Sequence, residues 1–316
     1  MSAFDTIAPG ERGGARPPLA RALDALSARA AAGPDRLRVW SLVVTFFGDA
    51  VAPRGGVIRL GALQQVTERL GVEPGALRTA MSRLARDGWL TRERRGRASF
   101  YALTPAKQAE TDAAARRIYA PGPPEWDGGW RVALIHAPEA DARAAIAARL
   151  AARGFGRVGE AWLRPRRENA APLVAEPGVS WFDAPGEDAR PDLEALSEAW
   201  SDPEAERRME AALTLCAALA SALDAAPPSD PLDAMAARCL LLHHWRRAAL
   251  RGPDLPLALR PARWRGEEAR AAVRRLYWRL LPASERWLDG CEGRPDGPLP
   301  PASPALAARF GGPPAA

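Results

Sequence analysis

The chain has 316 residues and a formal net charge of +6, enough length for two or three domains, each with its own core. Three widely spaced cysteines, Cys216, Cys239 and Cys291, form no CxxC pair, which excludes a disulfide framework and fits a reducing cytoplasm. No apolar run approaches the roughly 20 residues that span a bilayer, and the opening MSAFDTIAPGERGGARPP lacks a hydrophobic signal core, so a soluble, unexported, cytoplasmic protein is expected.

In chain order, residues 1–34 read as a mobile arm, rich in Pro and Gly over 8–18, leading into a short helix that carries Leu19, Leu23 and Leu26 at helical spacing. Residues 35–104 read as a winged helix-turn-helix. Asp35 is placed to cap a helix from Arg36, whose VWSLVVTFFGDAV run is apolar on nearly every side, so Trp40, Phe46 and Phe47 are expected in the core. After a turn at Pro53, Gly55 and Gly56, residues 57–60 read as a short strand.

Leu63, Val66 and Leu70 then share one face of a helix that Gly71 ends, and Glu73 with Pro74 starts the next, making a two-helix corner. On this second helix Leu77, Ala80, Met81 and Leu84 cluster on one side, while Arg78, Thr79, Ser82, Arg83 and Arg86 occupy the opposite arc. Arginine suits bidentate contact with guanine, and Ser or Thr tolerates several bases, so this arc fits a DNA major groove. Segments 89–94 and 98–103 are strand-like and joined by Arg95-Gly96-Arg97, a wing whose Arg92, Arg94, Arg95 and Arg97 suit phosphates or a minor groove.

The plainer reading is a solvated arginine-rich surface, since Lys107 is the only lysine among 44 basic residues. Distribution argues against it: residues 35–107 hold 13 basic and 6 acidic side chains, a net +7 within a chain of +6. The basic excess therefore sits in the segment with the corner, the helix face and the wing.

Thr104-Pro105 pairs an N-cap with a Pro at the first helical position and launches a linker helix over 105–124. The PGPPEW stretch at 121–126 marks a boundary. Over 125–200, strands at 130–135, 155–158, 161–164 and 178–183 alternate with helices at 139–152 and near 191–198, predicting a small ferredoxin-like α+β domain. Residues 201–289 read as an all-α region with helical runs at 203–223, 231–251 and 266–281, and 290–316 as a mobile tail. The fold class is therefore α+β.

The stretches LVVTFFGDAVAPRGG, LRTAMSRLARDGWL and GRASFYALT resemble the PaaX-type repressors of phenylacetic acid degradation. GFGRVGEAWLRP is similar to that family's central segment, and LLHHWRRAALRGPDLP, ARW-RG and VRRLYWRLL to its C-terminal domain, so the likeness covers roughly 36–288. Arg78, Thr79, Arg83 and Leu84 match the family's helix pattern, and Gly96 with Arg97 its wing. The family commonly has His-Glu-Tyr-Arg-Arg where this chain has His243, His244, Trp245, Arg246 and Arg247, which points to an altered effector or interface. The resemblance implies a homodimeric repressor that binds double-stranded operator DNA, needs no cofactor or metal, and is released by an aryl-CoA effector such as phenylacetyl-CoA. Phosphate-binding arginines and aromatics around an aryl group would then come from Trp162, Arg164, Arg166, His243, Arg246, Arg247 and Trp264.

Rival chemistries are weaker. GFGRVG satisfies G-x-G-x-x-G but follows a predicted helix, whereas a dinucleotide loop follows a strand. His243 and His244 are adjacent and have no third metal ligand at a suggestive spacing, and His136 has no nucleophile beside it in sequence. A metal-dependent nuclease built on the α+β domain would need Asp127, Asp141 and Asp183, each more simply a turn or helix-start residue. A protein-binding adaptor would set a dense arginine wing against an apolar partner. Trp162, Trp181, Trp200, Trp245, Trp264, Trp278 and Trp287 crowd the last two regions, where core packing is the simpler role.

Overall fold

The computed structural model describes residues 16–32, 37–166, 176–185, 196–252, 254–294 and 297–314. The arm expected before residue 16, Asp35 and most of the helix expected near 191–198 lie outside the described residues. Helix α1 spans Pro18–Ala32, and α2 spans Val39–Phe46, beginning at Val39 instead of Arg36. The chain then winds as a π-helical turn over Phe47–Val51 and a 3-10 turn over Ala52–Arg54. Next come β1 (Val57–Arg59), α3 (Leu60–Arg69), α4 (Pro74–Arg86), β2 (Leu90–Arg95) and β3 (Ala98–Leu103). The three strands form an antiparallel sheet in the order β1-β3-β2, with Arg95 opposite Ala98 at the hairpin tip. Gly96 has φ +56 and no non-glycine in the hairpin has positive φ, the pattern of a two-residue II′ turn.

Helix α5 (Pro105–Ile118) follows directly. Thr104 does stand at its N-cap, but the hydroxyl donates to the Gly88 carbonyl at 2.9 Å and caps no helix N–H. The bond ties the start of α5 to the end of α4.

The middle region holds β4 (Trp130–Ile135), α6 (Ala140–Ala152), β5 (Gly156–Val158), β6 (Ala161–Pro165) and β7 (Val179–Ala184), an antiparallel sheet in the order β5-β6-β4-β7. One face packs Ala133, Trp162, Trp181 and Val179 with Ile146 and Leu150 of α6. On the other, Trp130 stacks on Trp200 at 6.1 Å and meets Leu255 and Leu259. The three glycines of GFGRVG have structural work. Gly154 takes φ +84 after α6, Gly159 takes φ +58 in the β5–β6 hairpin, and a Cβ on Gly156 would stand 2.6 Å from the Trp200 indole.

The C-terminal helices are α7 (Pro203–Ala225), α8 (Pro231–Arg251) and α9 (Gly266–Asp289). Pro203 and Pro231 sit in first turns behind Asp202 and Asp230, whose carboxylates accept helix N–H groups. α9 runs through Pro282 to Asp289, past the end expected at 281. Almost all of α8 from Asp233 to Trp245 is buried, because it packs against α1, α2, α3, α5, α7 and α9 together. A helix apolar on all sides has to be surrounded. One hydrophobic core consequently runs from Leu23, Phe46 and Leu77 through Leu241 and Trp245 to Leu280. Within α2, Phe46 and Phe47 are buried as expected, but Trp40 is 39% exposed. A helix apolar on every face carries no periodicity to say which first-turn residue is left uncovered.

The expectation of a mobile tail over 290–316 is corrected. Strand β8 (Glu292–Arg294), paired with β9 (Gly297–Pro298), packs beside β1, and a 3-10 segment (Pro304–Gly311) packs back onto the end of α5. Phe310 is fully buried between Tyr119 and Tyr277, with ring centroids 5.3 and 5.4 Å away, and its N–H donates to the Tyr119 carbonyl at 2.8 Å. It holds φ +55, a conformation a bulky residue keeps only where its surroundings over-determine it. A single large aromatic provides this anchor, which a Pro, Gly and Ala composition hides.

Candidate nucleic-acid interface and the cavity behind it

Leu77, Ala80, Met81 and Leu84 of α4 are buried, and Arg78, Thr79, Ser82, Arg83 and Arg86 are exposed along its outer side. Pro74 opens the helix at its first position, and Gly88, with φ +73, turns the chain into the hairpin. Arg83 and Arg86 share Asp87, at 3.5 and 3.2 Å, and the Thr79 hydroxyl donates to the Gly75 carbonyl at 3.0 Å. These exposed ion pairs are weak restraints that an approaching phosphate can replace.

On the hairpin Arg92, Arg94, Arg95 and Arg97 are all exposed. Arg92 donates to the Ser99 hydroxyl at 2.9 Å, Arg94 to the Gly96 carbonyl at 3.2 Å, and Arg95 pairs with Glu93 at 2.8 Å. Trp89, between α4 and β2, carries the Lys107 ammonium 4.6 Å from its ring centroid. The helix arc and the hairpin together carry seven exposed arginines.

The α2 helix, the π turn, α5 and α8 line a partly open cavity of about 210 Å³. Its walls include Val44, Thr45, Trp89, Ala114, Ile118, Leu242, Arg246 and Leu250. Arg246 donates from Nε to Thr45 Oγ1 and from Nη2 to Ser41 Oγ, both at 2.8 Å. Among the described residues it makes no ion pair, and burial, followed by the charge of Arg247, lowers its proton affinity below that of an ordinary arginine. A wider cleft of about 610 Å³ shares Gly48, Ala115 and Tyr119 with the cavity and adds Gln108, Arg116, Ser303 and Arg309.

The π turn also carries Asp49, which is 2% exposed and lies in a closed ionic cluster. Its carboxylate accepts from Arg238 Nε at 2.6 Å, Arg309 Nη1 at 2.6 Å and the Tyr119 hydroxyl at 2.9 Å. Arg238, fully buried, also meets Glu285 at 2.5 Å, and Arg54 meets Glu285 at 2.6 Å and Asp289 at 2.8 Å. Burial works against the Arg238 charge, but Asp49, Tyr277 and Glu285 outweigh it and hold the guanidinium more firmly protonated than usual. The cluster bolts the π turn to α8, α9 and the tail.

The residues nominated for an effector are not brought together. Trp162 lies in the β-sheet core, Arg164 stacks over Phe155 at 4.8 Å, and Arg166 pairs with Asp127 at 2.6 Å. Trp264 lines a separate small pocket with Arg260 and Arg270. His243 is fully buried with Nδ1 3.5 Å from Thr45 Oγ1, and burial holds its imidazole well below the ordinary value. Arg247 is half-buried on the next turn of α8, and of the seven only Arg246 lines the 210 Å³ cavity. The tryptophans are shared among the three cores.

For the nuclease alternative, Asp127 and Asp183 are each bound to an arginine, Arg166 and Arg131, whose hydrogen bonds hold both carboxyls below their usual range. Asp141 sits apart in the first turn of α6. Among the described residues no group of three or more His, Cys, Asp or Glu is placed to hold a metal, and no helix is long and apolar enough to cross a membrane. The cavity residues were missed because they come from four separated segments. The available signal was Asp49, an acid inside an apolar run, which burial obliges to find a cation.

Comparison with known proteins agrees with this layout. The sequence profile of the PaaX-like protein family matches residues 38–107, and that of the PaaX-like protein C-terminal domain matches 200–290. The transcriptional repressor PaaX of Escherichia coli (strain K12) is 32% identical over 283 residues, covering 86% of this chain and 90% of that protein. The solved structure of the uncharacterized protein Rv0674 from Mycobacterium tuberculosis shares the fold, with a TM-score of 0.51 at 21% identity over 78% of this chain and 97% of the other. The two profile matches fall on the corner-and-hairpin segment and on the α8-centred helices, and with a repressor relative aligned along most of both lengths, the chain belongs to the PaaX-like family.

Proposed function

We propose that the protein is a transcriptional repressor that binds operator DNA through residues 60–103 acting as a winged helix-turn-helix. The observation that carries this is the exposed arc of α4, with Arg78, Thr79, Ser82, Arg83 and Arg86, set beside a hairpin with four exposed arginines. Helix α4 enters a major groove and reads base edges, while Arg94, Arg95 and Arg97 hold the flanking backbone. The β5-β6-β4-β7 order, with the first strand in the chain central, supports a ferredoxin-like reading of the middle region. A homodimer on a partly palindromic operator places two α4 helices in successive major grooves, roughly 34 Å apart.

Release follows when an aryl-CoA, phenylacetyl-CoA in the first instance, binds more tightly to a geometry in which the two helices no longer match the grooves. No catalytic step belongs to this reading. The test is a gel-shift titration on the intergenic DNA beside the protein's own gene, at fixed salt, with phenylacetyl-CoA, phenylacetate or free coenzyme A. Specific binding released by the thioester supports repressor and effector together. Absence of specific binding refutes the repressor.

A further inference from the structure

We infer that the cavity between α2, the π turn, α5 and α8 receives a single-ring acyl group with its carbonyl oxygen on Arg246, and that the adjoining cleft takes whatever chain is attached to that carbonyl. The inference rests on the effector reading above and assigns it a place.

Size comes first. A dry cavity of about 150 Å³ lined by apolar side chains accepts a benzene ring. The cavity here, at about 210 Å³, has room for one ring and a short arm but not for a coenzyme. Its walls are mostly apolar: Val44, Trp89, Ala114, Ile118, Leu242 and Leu250. The polar lining is Thr45, Asp49, Glu110, Thr111, Tyr119 and one guanidinium, Arg246; Asp49 is held by Arg238 and Arg309 and Glu110 by Lys107, while Arg246 donates from Nε and Nη2 to hydroxyls and pairs with neither acid. A partly desolvated cation held only by neutral acceptors gains from a ligand oxygen, most of all an ionised one.

The surroundings fit the same ligand. The segment Phe47–Val51 is wound as a π helix, a form concentrated at functional sites. Gly48 lets it approach α5 closely, since a Cβ there would stand 2.9 Å from Thr111 Cγ2. Gly48, Ala115 and Tyr119 are walls of both cavity and cleft, and the cleft adds the polar groups of Gln108, Arg116 and Ser303. The position also explains how binding reaches DNA. Trp89 directly follows Gly88, where α4 gives way to the hairpin, and α2 packs on α4. Filling the cavity presses on the joint that sets the recognition helix against the wing.

The test uses the full-length protein on its operator fragment and reads the ligand concentration for half-release. Ala114→Leu narrows the cavity and is expected to raise the phenylacetyl-CoA midpoint at least about tenfold, measured relative to the variant's own ligand-free operator affinity. Leu250→Ala enlarges it and is expected to admit naphthylacetyl-CoA, which the wild type ignores. Arg246→Gln is expected to raise the midpoint for both phenylacetate and its thioester. Release by either ligand supports the site, and release by the thioester alone adds the cleft. Release by coenzyme A alone overturns it. Wild-type release that persists with unchanged midpoint and acyl preference in Ala114→Leu and Leu250→Ala overturns the site but leaves the effector standing. If Ala114→Leu loses operator binding, Leu250→Ala decides alone. A wild type that stays on its operator at every ligand concentration, with no ligand-induced rise in Tm, overturns effector and site together.

Discussion

Replacing Asp49 with Asn tests whether the buried ionic cluster holds the DNA-facing unit to the C-terminal helices. The substitution keeps the shape of the side chain and removes its charge. In the folded protein Arg54, Arg238 and Arg309 are balanced by Asp49, Glu285 and Asp289. Without the Asp49 charge, Arg238 and Arg309 keep the neutral Tyr277 hydroxyl between them, at 3.3 and 2.8 Å, and one cation is left uncompensated in the interior. Breaking a buried pair from one side costs about 3–5 kcal/mol. That is a large share of the roughly 5–15 kcal/mol that separates folded from unfolded domains. Urea unfolding followed by tryptophan fluorescence gives the loss directly, and the triple variant Asp49→Leu, Arg238→Met, Arg309→Met supplies the control. Because well-packed apolar replacements remove the desolvation cost along with the attraction, the triple variant is expected to recover most of the loss. A single Asp49→Asn loss below about 1 kcal/mol, or a triple variant no more stable than the single, refutes the reasoning.

Arg78→Ala and Arg83→Ala are each expected to weaken operator binding by about 1–3 kcal/mol and relax base choice at one position, and selection from a randomised operator pool checks this. Unchanged affinity and selectivity in both would take α4 out of the readout. The pair Arg95→Ala and Arg97→Ala is expected to weaken specific and nonspecific DNA alike and to shallow the log–log salt slope by up to about 1.8, two phosphates at about 0.9 each. An unaltered slope counts against phosphate contacts. His243 gives a pH signature with a fixed sign. Its folded value lies well below the ordinary 6.5, so the unfolded chain takes up a proton first as pH falls, and stability declines from that value down to the folded one. As pH falls through about 6.5 the decline from this group is at most about 1.4 kcal/mol per pH unit, and His243→Leu is expected to remove it. Equal pH slopes in the two proteins would assign the acid sensitivity elsewhere.

What could be read in the sequence follows from the range of the interaction that fixes each feature. The α4 stripe of Leu77, Met81 and Leu84, the Pro74 start and the Gly96 turn are set by residues within a turn or two of each other, so spacing reveals them. The middle strands are equally local, and their observed bounds fall within a residue or two of those expected. The partners of a buried charge are not local. Asp49 and Arg238 are 189 positions apart, and Arg309 is drawn from a stretch whose composition suggested no packing at all. Arg246 entered the list of effector residues for its charge beside aromatic neighbours, but its place in a cavity depends on α5 and the π turn, which no pattern in α8 encodes.

Two helices nevertheless carried a joint signal. Both α2, in VVTFFGDAV, and α8, in CLLLHHWRRAAL, lack a polar face, and a helix without a polar face has to be enclosed by other elements. Each encloses part of the other, with Thr45 beside His243 and Arg246 bound to Ser41 and Thr45. The DNA-facing unit is therefore built with the C-terminal helices as part of its own core. A change in how α8 sits must move α2, and α2 rests on α4. On the proposed reading, coupling between a ligand on the α8 side and α4 needs no long relay of side chains, since both rest on one shared core and a ligand acts through any difference in its affinity for two arrangements of that core.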